Sequence, residues 1–111
     1  MKNKKIDKPW GYEELIELND KYCLKKLFMK KGNRCSLQFH EKKLETIYVL
    51  NGSLTIELNK EIILLKPTES ITISVGQIHR MSAVDTDVLY LESSTPELDD
   101  VVRVEDDFGR S

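Results

Sequence analysis

Short apolar runs, closely punctuated by turn signals, constrain this chain most. Residues 23–30, 35–40, 45–51, 53–58, 61–66, 71–75, 79–83 and 87–93 read as separate runs. Leu54, Ile56 and Leu58 alternate with polar neighbours, and so do Ile71, Ile73 and Val75. That period of two is the mark of a strand with one buried face. Asn51-Gly52 is a two-residue hairpin signal. Asn59-Lys60, Lys66-Pro67 and Gly76-Gln77 break the remaining runs. No segment of useful length carries the helical period, although a short turn near residues 12–18 fits the pattern. Strands this short and regularly spaced predict an all-β sandwich or barrel. Between residues 47 and 50 both faces are apolar, which predicts a strand covered on both sides by a second sheet and by the N-terminal arm or a partner chain. A homodimer is one way to meet that need.

At 111 residues the chain holds one domain. We expect an N-terminal arm over 1–20, a barrel core over 21–95 and a C-terminal segment over 96–111. The formal net charge of −2 argues against a general nucleic-acid binder, which would show a basic surplus. No apolar run approaches the roughly 18 residues that read as a membrane span. The start MKNKKIDK is basic but leads into no apolar signal core. A cytoplasmic protein is therefore expected, with neither a nucleic-acid nor a membrane partner. Cys23 and Cys35 form no CxxC pair and cannot make a disulfide scaffold.

Only two histidines, His40 and His79, are available for any imidazole site. Gln38 and His40 are two apart and share a strand face. Lys43 and Glu45 share a face with Ile47 and Val49. A turn at Glu41-Lys42 would return Glu45 beside His40, and a barrel could bring the strand starting at His79 to the same point. Two imidazoles, a carboxylate and an amide oxygen suit zinc, and could also take iron, manganese, cobalt or nickel. A histidine in a strand is more often a hydrogen-bonded core or surface residue, so spacing alone leaves both readings open. By the same parity Cys35 should face away from the metal, and Arg80 should point opposite to His79. Trp10 reads as packing from the arm.

The spacing resembles the first cupin motif, G-x5-H-x-H-x3–4-E-x6-G. Gly32, Gln38, His40, Glu45 and Gly52 stand at its intervals, with glutamine in place of the first histidine. Gly76-Gln77-Ile78-His79 resembles the second motif, with Ser74 where proline is usual. The resemblance narrows further. KPWGYE, LKKLFMKKGNRCSLQFH, ETIYVLNGSLTIEL, VGQIHR and DDVVRVEDDFGR together resemble the cupin domain of type II mannose-6-phosphate isomerases over residues 8–110. In that family glutamine replaces the first cupin histidine. Lys42, Lys43 and Thr46 stand where the family often has His, Arg and His.

The resemblance implies a cupin-type double-stranded β-helix, a jelly-roll barrel. It implies a divalent metal, zinc first, held by Gln38, His40, Glu45 and His79. The implied activity is a metal-dependent aldose–ketose isomerisation of a sugar phosphate, mannose 6-phosphate to fructose 6-phosphate through an enediol. Such a reaction needs a Lewis acid, a proton shuttle and a phosphate anchor. Lys43 is the expected acid–base group if burial beside a cation lowers its pKa, and Arg103 the expected partner in catalysis. Lys25, Arg103 and Arg110 are the expected substrate-binding cations, since an arginine fork suits phosphate. Either Arg103 or Arg110 could instead pair with Glu105, Asp106 or Asp107, Arg110 more readily. Many members carry a sugar-nucleotide transferase domain ahead of the cupin, so this chain corresponds to the isomerase half alone. Two other readings stand beside it. A cupin oxygenase would use iron, and a sugar-binding cupin would bind without turnover.

Overall fold

A computed structural model describes residues 3–110; Met1, Lys2 and Ser111 lie outside the described residues. Eleven strands and no helix are described. The first sheet has the order β1 (Lys4–Lys8), β2 (Gly11–Leu18), β3 (Cys23–Met29), β10 (Val88–Ser94), β5 (Glu45–Asn51), β8 (Ser70–Ile73). The second has the order β11 (Val102–Glu105), β4 (Leu37–Phe39), β9 (His79–Ser82), β6 (Leu54–Leu58), β7 (Glu61–Leu65). Every pairing is antiparallel. Among the described residues no helix is long and apolar enough to cross a membrane.

The alternating residues of the two sheets meet between them. Ile47, Val49, Leu54, Ile56, Ile73, Met81, Val88 and Tyr90 are buried in one cluster with Trp10, Leu27 and Met29. Burying such apolar surface stabilises the fold by about 25 cal/mol per Å². Trp10 packs as expected. The chain turns back at Trp10, where Lys30 N–H donates to its carbonyl at 2.9 Å. Gly11 pairs with both Lys8 and Met29, and a Cβ there would collide with the Phe28 carbonyl. Glycine lets β2 approach β3 that closely. At the Asn51-Gly52 turn, Gly52 has φ 78°, and a Cβ would strike the Asp87 carbonyl.

Three strands were not legible in the periodicity. β1 and β2 form a hairpin where the sequence pattern predicts an arm with a short turn, and β11 lies in the acidic tail. β1 is almost wholly exposed, so charges occupy it and no alternation develops. The hairpin also corrects one expectation. It continues the sheet beyond β3 and does not cover β5, so Tyr48 and Leu50 stay exposed on the outer face while Ile47 and Val49 are buried.

Candidate metal centre

Strand pairing assembles the site. Gln38 on β4 lies opposite His79 on β9 and opposite Arg103 on β11. Residues opposed in an antiparallel pair share a face, so all three point between the sheets. His40 follows β4 directly, and Glu45 opens β5. The turn between them brings Glu45 back beside His40, as the spacing implied.

His40, Glu45 and His79 offer ligand atoms that all lie within 4.8 Å of one another, and all three residues are buried. His40 Nε2 stands 3.1 Å and His79 Nε2 3.0 Å from Glu45 Oε1. The far nitrogens explain why this arrangement asks for a cation. His40 Nδ1 bonds the carbonyl of Asp100, and His79 Nδ1 bonds the carbonyl of Gln77 at 2.9 Å. A carbonyl only accepts, so each Nδ1 carries the hydrogen. In the neutral ring each Nε2 then presents a lone pair, and both lone pairs aim at one carboxylate oxygen. Among the described residues, His79 Nε2 and Glu45 Oε2 are buried with no hydrogen-bond partner. Converging buried lone pairs repel one another unless a proton or a metal ion sits among them, and His40 Nε2 and Glu45 Oε1 are at hydrogen-bond distance. A divalent metal meets that demand, and the donor set of two imidazole nitrogens and a carboxylate fits one. Gln38 lines the same cavity. Its amide oxygen accepts from Ser36 Oγ at 3.2 Å.

Lys43 and Glu92 extend the charged centre. Lys43 Nζ lies 3.5 Å from Glu45 Oε2 and 3.7 Å from Glu92 Oε2, with both carboxylates and the lysine buried. Burial works to lower the Lys43 pKa, but Glu92 and Glu45 together outweigh it and the net direction is up. In the absence of a metal, the two carboxylates favour the protonated form of Lys43. Burial also works to raise Glu45, yet hydrogen bonds from His40 and His79 when those rings are protonated, together with the Lys43 charge, hold it well below the usual carboxylate range. Glu92 is pushed up to about 7, first by burial and then by Glu45, with Lys43 and Lys25 pulling the other way. Glu92 carried no motif. It reaches the site because β10 pairs with both β3 and β5, setting Glu92 opposite Lys25 and Ile47.

These residues line a cavity of about 450 Å³, a size common for small-molecule sites. Gln38, His40, Lys43, Glu45, Lys25, Arg103 and Arg110 all border it. Lys25 faces inward, as its parity implied, and pairs with Glu13 at 3.3 Å. Arg110 turns its Nε and Nη2 onto Asp106, both at 3.0 Å, so its fork is engaged within the tail. Arg80 points away from His79. It is buried beneath β11, donating to the carbonyls of Cys35 and Glu105 at 3.0 and 3.1 Å. Cys35 departs from its expected place, since it borders the cavity. Residues 35–36 are not regular strand, so the parity counted back from Gln38 does not hold there.

Known proteins can now be set beside this geometry. Residues 1–106 match the family described as "Mannose-6-phosphate isomerase C-terminal". The chain belongs to that family. It is 33% identical over 112 residues to the mannose-1-phosphate guanylyltransferase ManC of Salmonella typhimurium, covering 97% of this chain and 23% of that protein. The xanthan biosynthesis protein XanB of Xanthomonas campestris is 29% identical over 113 residues, covering 98% of this chain and 24% of XanB. The chain thus spans about a quarter of the length of these relatives. Among solved structures, KdgF from a Halomonas species superposes with a TM-score of 0.79 at 20% identity, covering 86% of this chain and 88% of that one. An RmlC-like cupin from Shewanella frigidimarina superposes at 0.78 with 16% identity, covering 86% of each chain. The fold is that of a cupin.

The relatives correct one expectation. The resemblance implied an enzyme of the mannose-6-phosphate isomerase kind, whereas ManC and its Escherichia coli counterpart are named mannose-1-phosphate guanylyltransferases. A cupin signature that fills a quarter of a longer protein identifies the module, and the name of the whole follows a different reaction.

Proposed function

We propose that this cupin binds one divalent cation, with zinc foremost among zinc, iron, manganese, cobalt and nickel, and holds a phosphorylated sugar over it in the barrel mouth. His40, Glu45 and His79 would hold the cation, with Gln38 at the fourth position. One observation carries this reading: two Nδ1–H groups tied to carbonyls turn both Nε2 lone pairs onto Glu45 Oε1. When bound, such a metal supplies a Lewis acid for a sugar oxygen.

The sugar phosphate is supported by the cations around the same cavity. Arg103 stands opposite Gln38 on the neighbouring strand, and Lys25 lies across the barrel on β3. An arginine can grip phosphate with two parallel hydrogen bonds. Buried Glu92 and partly buried Glu13 supply acceptors that suit sugar hydroxyls. The proposal is one of binding and assigns no reaction.

Calorimetry tests it directly. Zinc should bind once per chain, and mannose 6-phosphate, fructose 6-phosphate or a related hexose phosphate should then bind more tightly to the zinc form than to the metal-free form. Equal affinity for mannose and mannose 6-phosphate would remove the phosphate from the reading. Failure to bind any divalent metal would remove the centre itself.

A further inference from the structure

Asp100 touches the site at two ends; it lies in the DDVVRVEDDFGR stretch, but the resemblance assigned it no role. Its carboxylate accepts three consecutive backbone N–H groups, from Glu41 at 3.0 Å, Lys42 at 2.7 Å and Lys43 at 2.8 Å. Those residues form the turn that carries the chain from His40 to Glu45. Its own carbonyl receives the Nδ1–H of His40. One residue therefore grips both the turn and the ring. The segment before it adds a second tie, since Leu44 N–H donates to Thr95 Oγ1 at 3.0 Å and Thr95 N–H to the Leu44 carbonyl at 3.0 Å.

We infer that Asp100 is a positioning residue for the metal centre, fixing the tautomer and aim of His40 through its carbonyl and the place of Lys43 and Glu45 through its carboxylate. The reasoning is geometric. Turn 41–43 has three N–H groups that need an acceptor, and a single carboxylate satisfies all of them. With the carboxylate anchored there, the Asp100 carbonyl is held against His40. A hydrogen bond to one ring nitrogen of a ligand histidine decides which nitrogen faces the metal. Asp100 thus converts the end of β10's following loop into the outer support of ligands on β4 and β5. The inference rests on the proposed metal site for its consequence, but the positioning itself is a property of the metal-free chain.

The test pairs nitrogen-15 NMR of the metal-free 111-residue chain with zinc titration. In the wild type, His40 should be the Nδ1–H tautomer, and the amides of Glu41, Lys42 and Lys43 should be protected from exchange. In Asp100→Ala those amides should exchange about tenfold faster or more, the tautomer preference of His40 should weaken, and zinc affinity should fall by about 10- to 100-fold. Asp100→Asn keeps one oxygen acceptor and should lie between the two; it carries the comparison if the alanine variant does not fold. A purely structural role would lower the melting temperature and leave the His40 tautomer as it is. Wild-type tautomer and amide protection in both variants would overturn the inference, as would wild-type zinc affinity in a variant whose turn has loosened. If the wild type binds no zinc, the metal reading fails, while the NMR comparison still decides whether Asp100 positions His40.

Discussion

His79 directs its Nε2 at Glu45 Oε1 across 3.0 Å, yet that nitrogen forms no hydrogen bond among the described residues. The pair is close because β9 joins β4 in one sheet while Glu45 opens β5 in the other, and the two sheets face each other at this point. A contact of this kind between two buried acceptors needs a proton or a metal ion between them.

The first expectation follows from that demand. His79→Ala removes one of three converging donors. Zinc affinity should fall at least about 100-fold, because a partly formed centre must be completed by water. Metal analysis of the purified variant after dialysis against a weak chelator would check it. Full retention of zinc would remove His79 from the ligand set.

Lys43 makes a stability test possible without metal. Its ammonium lies between Glu45 and Glu92, all three buried. Lys43→Met should destabilise the metal-free chain by about 3 kcal/mol, since removing one partner leaves buried carboxylates uncompensated. Adding Glu92→Gln to that variant should recover a large part of the loss. Urea unfolding of the four proteins in the double-mutant cycle measures the coupling.

Arg103 and Arg110 should differ in phosphate binding, although both border the cavity. Arg103 stands opposite Gln38, beside the metal set, whereas Arg110 turns its fork toward the tail, onto Asp106. Arg103→Ala should weaken hexose-phosphate binding by about tenfold or more, the worth of a charge-assisted hydrogen-bond pair. Arg110→Ala should cost less than half as much in free energy. Calorimetry on both variants, with zinc present, would show the order, and a reversal would exchange their roles.

Acid should loosen the tail. The Arg110 guanidinium holds Asp106 down to about 2, against an ordinary aspartate value of 3.8. A depressed carboxylate stabilises the folded state above its unfolded pKa, and that contribution is lost as pH falls through the folded one. Between about pH 4 and pH 2, stability should therefore decline by an amount that Asp106→Asn abolishes. Unfolding curves of the two proteins across that window give the difference directly. Parallel curves, equally steep for both, would mean that Asp106 contributes no pH-dependent stability.

Much of the centre was readable from residue order because its parts are local. Gln38 and His40 are two apart on one strand face, and Glu45 returns through a short turn, so parity alone brought them together. His79 entered through a glycine turn at a strand start. Glu92 and Glu13 were not readable, and Asp100, though inside the DDVVRVEDDFGR stretch, showed no role there. Their places depend on which strand lies beside which, and on a loop that crosses the turn after β4. Cys35 misled for a related reason: parity is a property of regular strand, and the chain is irregular there.

The order of residues alone settled an all-β chain of short strands and the residue types that could hold a metal, since period and turn chemistry act between near neighbours. It also carried the family. Only tertiary structure decided that the two Nε2 atoms share one carboxylate oxygen, that Lys43 lies between two buried carboxylates, and that Arg110 turns its fork onto Asp106. Each of these depends on distances across sheets and on burial, and neither quantity exists until the chain has folded.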